Sequence, residues 1–211
     1  MEEPLYPLLS LSRLRMGTDG EGVTTLIAGA GCPLSCRWCI NKRLLREGKA
    51  EPVGAEELLE RVRIDDLYFR ATGGGVTFGG GESLLHAAFL RRFRELCPAE
   101  WRLRAETSLA VDPALLELSI GAVDRYIVDV KSLDDAVYRR YTGCGSALMR
   151  QNLRRLLEAV GPEKLTVRVP LIPEFNTSED QRRSADELRA LGVTDLDLFS
   201  YVIREYKTKW F

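Results

Sequence analysis

The sequence predicts an α/β fold of parallel strands, as an open sheet or a partial (β/α)6 barrel. Three observations lead there. Six short runs rich in β-branched and aromatic residues alternate with longer helical patterns, which is the signature of right-handed βαβ units. The chemically unusual residues fall just after those runs, beyond the carboxyl ends of parallel strands, where such folds gather function. At 211 residues, the chain is long enough for one sizeable core, and six strand candidates are too few for a full eight-stranded barrel.

Residues 1–20 read as an N-terminal extension. The first strand is "VTTLIAGA" (23–30), and a cysteine-bearing loop follows it. Helical propensity returns over 55–68. "GGVTFGG" (75–81) is the second strand and runs into "GGE" (80–82) before a helix over 83–97. "WRLRAET" (101–107) is the third and closes on "ETS" (106–108). A short helix over 113–119 starts with Pro113 in its first turn. "VDRYIVDV" (123–130) is the fourth strand and ends in "DVK" (129–131). Residues 146–160 set Met149, Leu153, Leu156, Leu157 and Val160 on one helical face, and "GP" at 161–162 stops that helix. "KLTVRVPLI" (164–172) is the fifth strand and leads into "PLIPEFN" (170–176). Ser178 and Gln181 stand at capping-box spacing for a helix over 178–191. "TDLDLFSYV" (194–202) is the sixth strand, and 203–211 form a C-terminal tail. No linker, repeat or low-complexity tract divides the chain, so one domain is expected.

Composition excludes some classes. Thirty basic side chains against thirty-one acidic ones leave a formal charge of −1, unlike the basic footprint of a nucleic-acid binder. No apolar stretch approaches the ~20 residues of a membrane span. The acidic start has too short an apolar run for a signal peptide, so a cytoplasmic protein is expected. In a reducing compartment, clustered cysteines read as metal ligands rather than disulfides.

Three of the five cysteines, Cys32, Cys36 and Cys39, lie in "GCPLSCRWC" at C-x3-C-x2-C spacing. Zinc usually takes four ligands, often as two separated pairs, and the single histidine, His86, does not complete such a set. A four-iron cluster on three thiolates leaves one iron open to a non-protein partner. Cys97 and Cys144 carry no expected chemistry, and His86 reads as an ordinary helix histidine.

These residues resemble the cysteine signature of radical S-adenosylmethionine enzymes, with the aromatic Trp38 before the last cysteine. More narrowly, the chain resembles the glycyl-radical-enzyme activating enzymes of the pyruvate formate-lyase activating type. "DGEGVTTLIAGAGC" (19–32), "GGGVTFGGGESLL" (73–85), "DRYIVDVKSLDDAVYRRYTG" (124–143) and "VRVPLIPEFN" (167–176) are similar to that group's blocks and come in its order.

The resemblance implies a partial (β/α)6 barrel over 23–202 and a [4Fe-4S] cluster on Cys32, Cys36 and Cys39. It also implies S-adenosylmethionine as cofactor, a protein partner that receives a glycyl radical, and a low-potential electron donor of flavodoxin or ferredoxin type. Cofactor contacts are expected from Trp38, Gly80, Gly81, Glu82, Glu106, Asp129, Lys131, Arg168 and Ile172. Gly80 and Gly81 would admit the methionine part closely, and Glu82 would accept from its ammonium. Lys131 would lie near the ribose and carboxylate, and Asp129 near a monovalent cation. The alternatives are a radical enzyme acting on another peptide or a small heterocycle, as carboxy-deazaguanine synthase does, and a cluster-binding paralogue without turnover. Against the group's pattern, Thr24 replaces an arginine, Ser83 a proline and Val202 a histidine.

Overall fold

A computed structural model describes residues 3–202; the expected tail at 203–211 lies outside the described residues. One eight-stranded sheet has the order β3-β1-β2-β4-β5-β6-β7-β8. Its six parallel strands are β2 (Val23–Gly29), β4 (Gly75–Gly80), β5 (Arg102–Thr107), β6 (Arg125–Asp129), β7 (Leu165–Leu171) and β8 (Leu196–Ser200). They coincide with the six runs read from sequence. The outer strands β3 and β8 do not pair with each other, so the barrel is partial.

Two further strands lie outside that reading. β1 (Tyr6–Met16) pairs antiparallel with β2, and β3 (Glu51–Val53) pairs antiparallel with β1. Most of the supposed N-terminal extension is therefore part of the sheet. Tyr6 is fully buried, and its hydroxyl donates to the Ile27 carbonyl at 3.3 Å.

The helices are α1 (Lys42–Glu47), α2 (Ala55–Arg63), α3 (Asp66–Thr72), α4 (Ala87–Leu96), α5 (Pro113–Ser119), α6 (Asp135–Thr142), α7 (Ala147–Val160) and α8 (Ser178–Ala190). Asp112 caps α5, and Asp134 caps α6 by accepting from the Ala136 and Val137 amides. The capping box of α8 sits one residue earlier than the spacing suggested, on Thr177 and Asp180. Gln181 is used elsewhere: its amide nitrogen donates to the Val169 and Phe199 carbonyls at 2.7 and 3.1 Å, tying β7 to β8.

Alternation along the strands sorts the residues. Val76, Phe78, Leu103, Ala105, Tyr126, Val128, Val167 and Val169 join the hydrophobic core under the helices. The intervening positions, Thr77, Arg104, Glu106, Asp129 and Arg168, point to the other face, the concave interior. The β1–β2 loop fills its lower end. Thr77 donates to the Asp19 carbonyl at 2.9 Å, Arg104 to the Glu21 carbonyl at 2.8 Å, and Arg168 to the Thr18 carbonyl.

Candidate metal and cofactor site

The upper end of the same interior is built from the carboxyl ends of β2, β4, β5, β6 and β7. The cysteine loop leaves β2 and is tied to its neighbours mainly through backbone. Gly81 N donates to Gly29 O at 3.1 Å, and Glu82 N to Gly31 O at 2.8 Å. On the other side, Ser35 N and Arg37 N donate to the Thr142 and Tyr141 carbonyls at the end of α6, at 2.8 and 3.1 Å. Asn41 Nδ2 donates to Gly80 O at 2.8 Å, and His86 Nε2 lies 2.9 Å from Ala30 O. His86, read as incidental, thus braces the start of the loop. Cys144, also set aside, lies close by, its thiol 3.6 Å from Pro33 O.

Close approach explains the glycines differently from the sequence reading. A Cβ on Gly81 would stand 2.1 Å from Gly31 O, and Gly80, at φ +86°, would meet Ala28 Cβ at 2.7 Å. Both make room for the chain's own β2 and cysteine loop.

Glu82 also departs from expectation. It is 2% exposed, and its carboxylate accepts from Thr107 Oγ1 at 2.7 Å, Ser108 N at 2.8 Å, Ser108 Oγ at 2.6 Å and Leu84 N at 3.2 Å. Burial pushes its pKa up, against the pull of those bonds. A carboxylate filled by four donors is a clamp joining the ends of β4 and β5, with little capacity left for a cofactor ammonium.

Lys131 is 8% exposed, with Nζ 2.9 Å from Asp129 Oδ2 and 3.0 Å from the Tyr201 hydroxyl. The same Nζ lies 5.7 Å from the Tyr201 ring centroid. Burial opposes its charge, but Asp129, Tyr201 and Cys36 outweigh burial and hold its pKa well above the ordinary value. Tyr201 was not singled out from sequence, although "SYV" places it beside the noted Val202. Arg168 Nη1 meets Glu106 Oε1 at 2.9 Å and Arg168 Nε lies 3.7 Å from Asp197. Burial raises the Glu106 carboxyl, and Arg168 opposes it. Glu106, Asp129, Lys131 and Arg168 are therefore brought together as a charged lining.

Two further expected contacts differ in exposure. Ile172 is fully buried, and its backbone is held by Asn176, whose Oδ1 accepts from Ile172 N at 2.5 Å. Trp38 is 38% exposed on the cysteine loop.

The donor set fits an iron–sulfur cluster. All three thiols are free, and burial pushes the Cys36 thiol up to about 11 while Lys131 pulls it down. Among the described residues, no three His, Cys, Asp or Glu side chains converge to hold a single metal ion. Three thiols at C-x3-C-x2-C spacing suit a group in which each binds a different iron. The Tyr138 hydroxyl is buried, lacks a hydrogen-bond partner among the described residues, and lies within electrostatic reach of Cys36 and Lys131. A buried orphan polar group beside the loop is what an additional occupant would satisfy.

Comparison with known proteins agrees. The Radical SAM superfamily description matches residues 26–192. Pyruvate formate-lyase 2-activating enzyme of Escherichia coli (strain K12) is 31% identical, with 87% of this chain and 73% of that protein covered. Pyruvate formate-lyase-activating enzyme of Clostridium pasteurianum is also 31% identical, over 87% of this chain and 77% of that one. The (2S)-3-sulfopropanediol sulfolyase activating enzyme of Bilophila wadsworthia (strain 3_1_6) is 27% identical, over 77% and 74%. In fold, Streptococcus suis SuiB bound to S-adenosylmethionine superposes at a TM-score of 0.62 with 14% identity, covering 88% of this chain and 40% of that one. No helix among the described residues is long and apolar enough to cross a membrane.

Proposed function

The chain belongs to the radical S-adenosylmethionine superfamily, and on that premise we propose that it activates a partner enzyme by removing a hydrogen atom from a glycine of that partner. A [4Fe-4S] cluster with bound S-adenosylmethionine supplies one-electron cleavage of the sulfonium and a 5′-deoxyadenosyl radical as the hydrogen acceptor. The observation that carries the proposal is that the cysteine turn is pinned at the same strand ends that present Lys131. The turn's backbone is fixed by α6 on one side and by Gly81 and Glu82 on the other, while Lys131 and Cys36 share one electrostatic environment.

Cys32, Cys36 and Cys39 would each hold one iron. Lys131, kept cationic and oriented by Asp129 and Tyr201, would receive the carboxylate or ribose oxygens of the cofactor. The Glu106–Arg168 pair would line the chamber where the hydrogen atom moves, and Trp38 would cover the cofactor from the cysteine loop. Glu82, Gly80 and Gly81 act through the backbone they position. The β3 and β8 edges do not close on one another, which leaves width for a backbone loop to reach the chamber. Relatives named for activating pyruvate formate-lyase and a sulfolyase support a protein partner of that kind. The reading also places the protein in the cytoplasm, with a low-potential flavodoxin or ferredoxin as donor.

The test uses anaerobically reconstituted protein, S-adenosylmethionine and a partner glycyl radical enzyme deuterated at glycine Cα. Deuterium should enter 5′-deoxyadenosine while a doublet radical signal grows on the partner. Cofactor cleavage without label transfer from any such partner would reject the assignment.

A further inference from the structure

Directly after the last cysteine, the chain changes character. Residues 37–49 carry Arg37, Lys42, Arg43, Arg46 and Lys49 against the single acid Glu47, in a protein whose formal charge is −1. The local excess therefore sits on an otherwise acidic chain. α1 buries none of its residues. Arg43 pairs with Glu47 at 3.0 Å, both largely exposed, and Arg37, Lys42, Arg46 and Lys49 have no ion pair among the described residues. Beside them Ile40 is 95% exposed, the most exposed of the large apolar side chains among the described residues.

This surface is joined to the cysteine turn by short connections. Lys42 N donates to Cys39 O at 3.2 Å, and Cys39 N to Cys36 O at 3.4 Å. It also stands away from the charged chamber: Gly48, at the end of α1, packs near Leu9 of β1, whereas Glu106, Asp129 and Arg168 line the interior at β5 to β7. Bare apolar surface with a basic rim, next to a cluster ligand, has the make-up of a small transient interface with an acidic protein.

We propose that the face formed by Ile40 and the basic residues of 37–49 docks an acidic one-electron donor protein. This rests on the cluster reading above. In the encounter one electron passes from the donor to the oxidised cluster; the donor is oxidised, the cluster reduced, and no bond is made or broken. Rim charges set the encounter rate, and Ile40 supplies the desolvated centre.

The experiment compares wild type with the triple variant Lys42→Glu, Arg46→Glu, Lys49→Glu and with Ile40→Ser, all reconstituted. Cluster reduction is followed by its visible absorbance with two reductants: photoreduced 5-deazaflavin, and a reduced acidic ferredoxin as the probe protein. Iron, sulfide and deazaflavin reduction should match wild type in both variants. Ferredoxin-driven reduction should fall about tenfold or more in the triple variant at low salt, with a flattened dependence on ionic strength. In Ile40→Ser it should fall with the salt dependence kept. An unchanged ferredoxin rate overturns the proposal, and so does a defect confined to binding the partner glycyl radical enzyme. A wild-type chain that holds no reducible cluster overturns the underlying reading instead, and is seen in the deazaflavin arm alone.

Discussion

Ser108 grips Glu82 twice, through its amide at 2.8 Å and its hydroxyl at 2.6 Å. With Thr107 and Leu84 completing the set, the carboxylate ties the end of β4 to that of β5. Removing it strands buried donors. Glu82→Ala should therefore lower the stability of the metal-free chain by about 3 kcal/mol, measured by urea unfolding. A stable variant that merely binds S-adenosylmethionine weakly would show instead that Glu82 contacts the cofactor.

Gly81 faces Gly31 O so closely that a methyl group there must push the cysteine loop away. Gly81→Ala should retain the fold by circular dichroism and lose most of its reconstituted iron. Retention of full iron would show that the loop adjusts freely.

Each of Cys32→Ala, Cys36→Ala and Cys39→Ala should abolish the complement of about four irons and four sulfides. Cys144→Ala is the informative control, because its thiol lies beside Pro33. It should keep the cluster, as should Cys97→Ala. Stoichiometric zinc without sulfide in the wild type would contradict the site.

Lys131→Met keeps the stem and removes the ammonium. Binding of S-adenosylmethionine to the reconstituted protein should weaken by about 1–3 kcal/mol, read by equilibrium titration. Unaltered affinity would leave Lys131 as a mere partner for Asp129 and Tyr201.

Most of the six parallel strands were legible as compact runs rich in β-branched or aromatic residues, β2, β4 and β7 the clearest of them. β3 is three residues long and leaves no periodic trace. β1 has no clean alternation, since Leu14 and Met16 are exposed beside Ser10 and Arg13 and its register with β2 is interrupted twice, so it reads as an extension. α6 could have been found from Asp134 at its start and Gly143 after its end. The cysteines and Lys131 announced themselves through spacing and strand position. The saturation of Glu82 did not, since its partners Thr107 and Ser108 lie about 25 residues away and only the β4–β5 register brings them near. Likewise, Ile172 as a strand-end apolar residue carries no sign of which face it takes.

Asp65 offers a test by pH. It is fully buried; burial pushes its carboxyl up, but hydrogen bonds from Arg13 (2.9 and 3.1 Å from Nε) and Thr25 (2.7 Å) outweigh that and leave its pKa lowered. The folded state thus binds this proton less readily than the unfolded one. Its stabilisation is present above the unfolded value of about 3.9 and is lost as pH falls through the lower folded value. Asp65→Asn should be less stable at neutral pH and show a shallower loss of stability over the acid range in urea titrations. Parallel acid limbs in the two proteins would contradict this.

The β1–β2 loop also has a temporal consequence. Its carbonyls are held by Thr77, Arg104 and Arg168, and the last of these lies 150 residues further along the chain than its acceptor, Thr18. During synthesis the loop emerges early, yet its final anchor leaves the ribosome only after most of the protein has been made. Closing so long a circuit is entropically slow. The Arg168 anchor can therefore form only once the fifth parallel strand has been made, so the lower end of the interior cannot be fully closed before then.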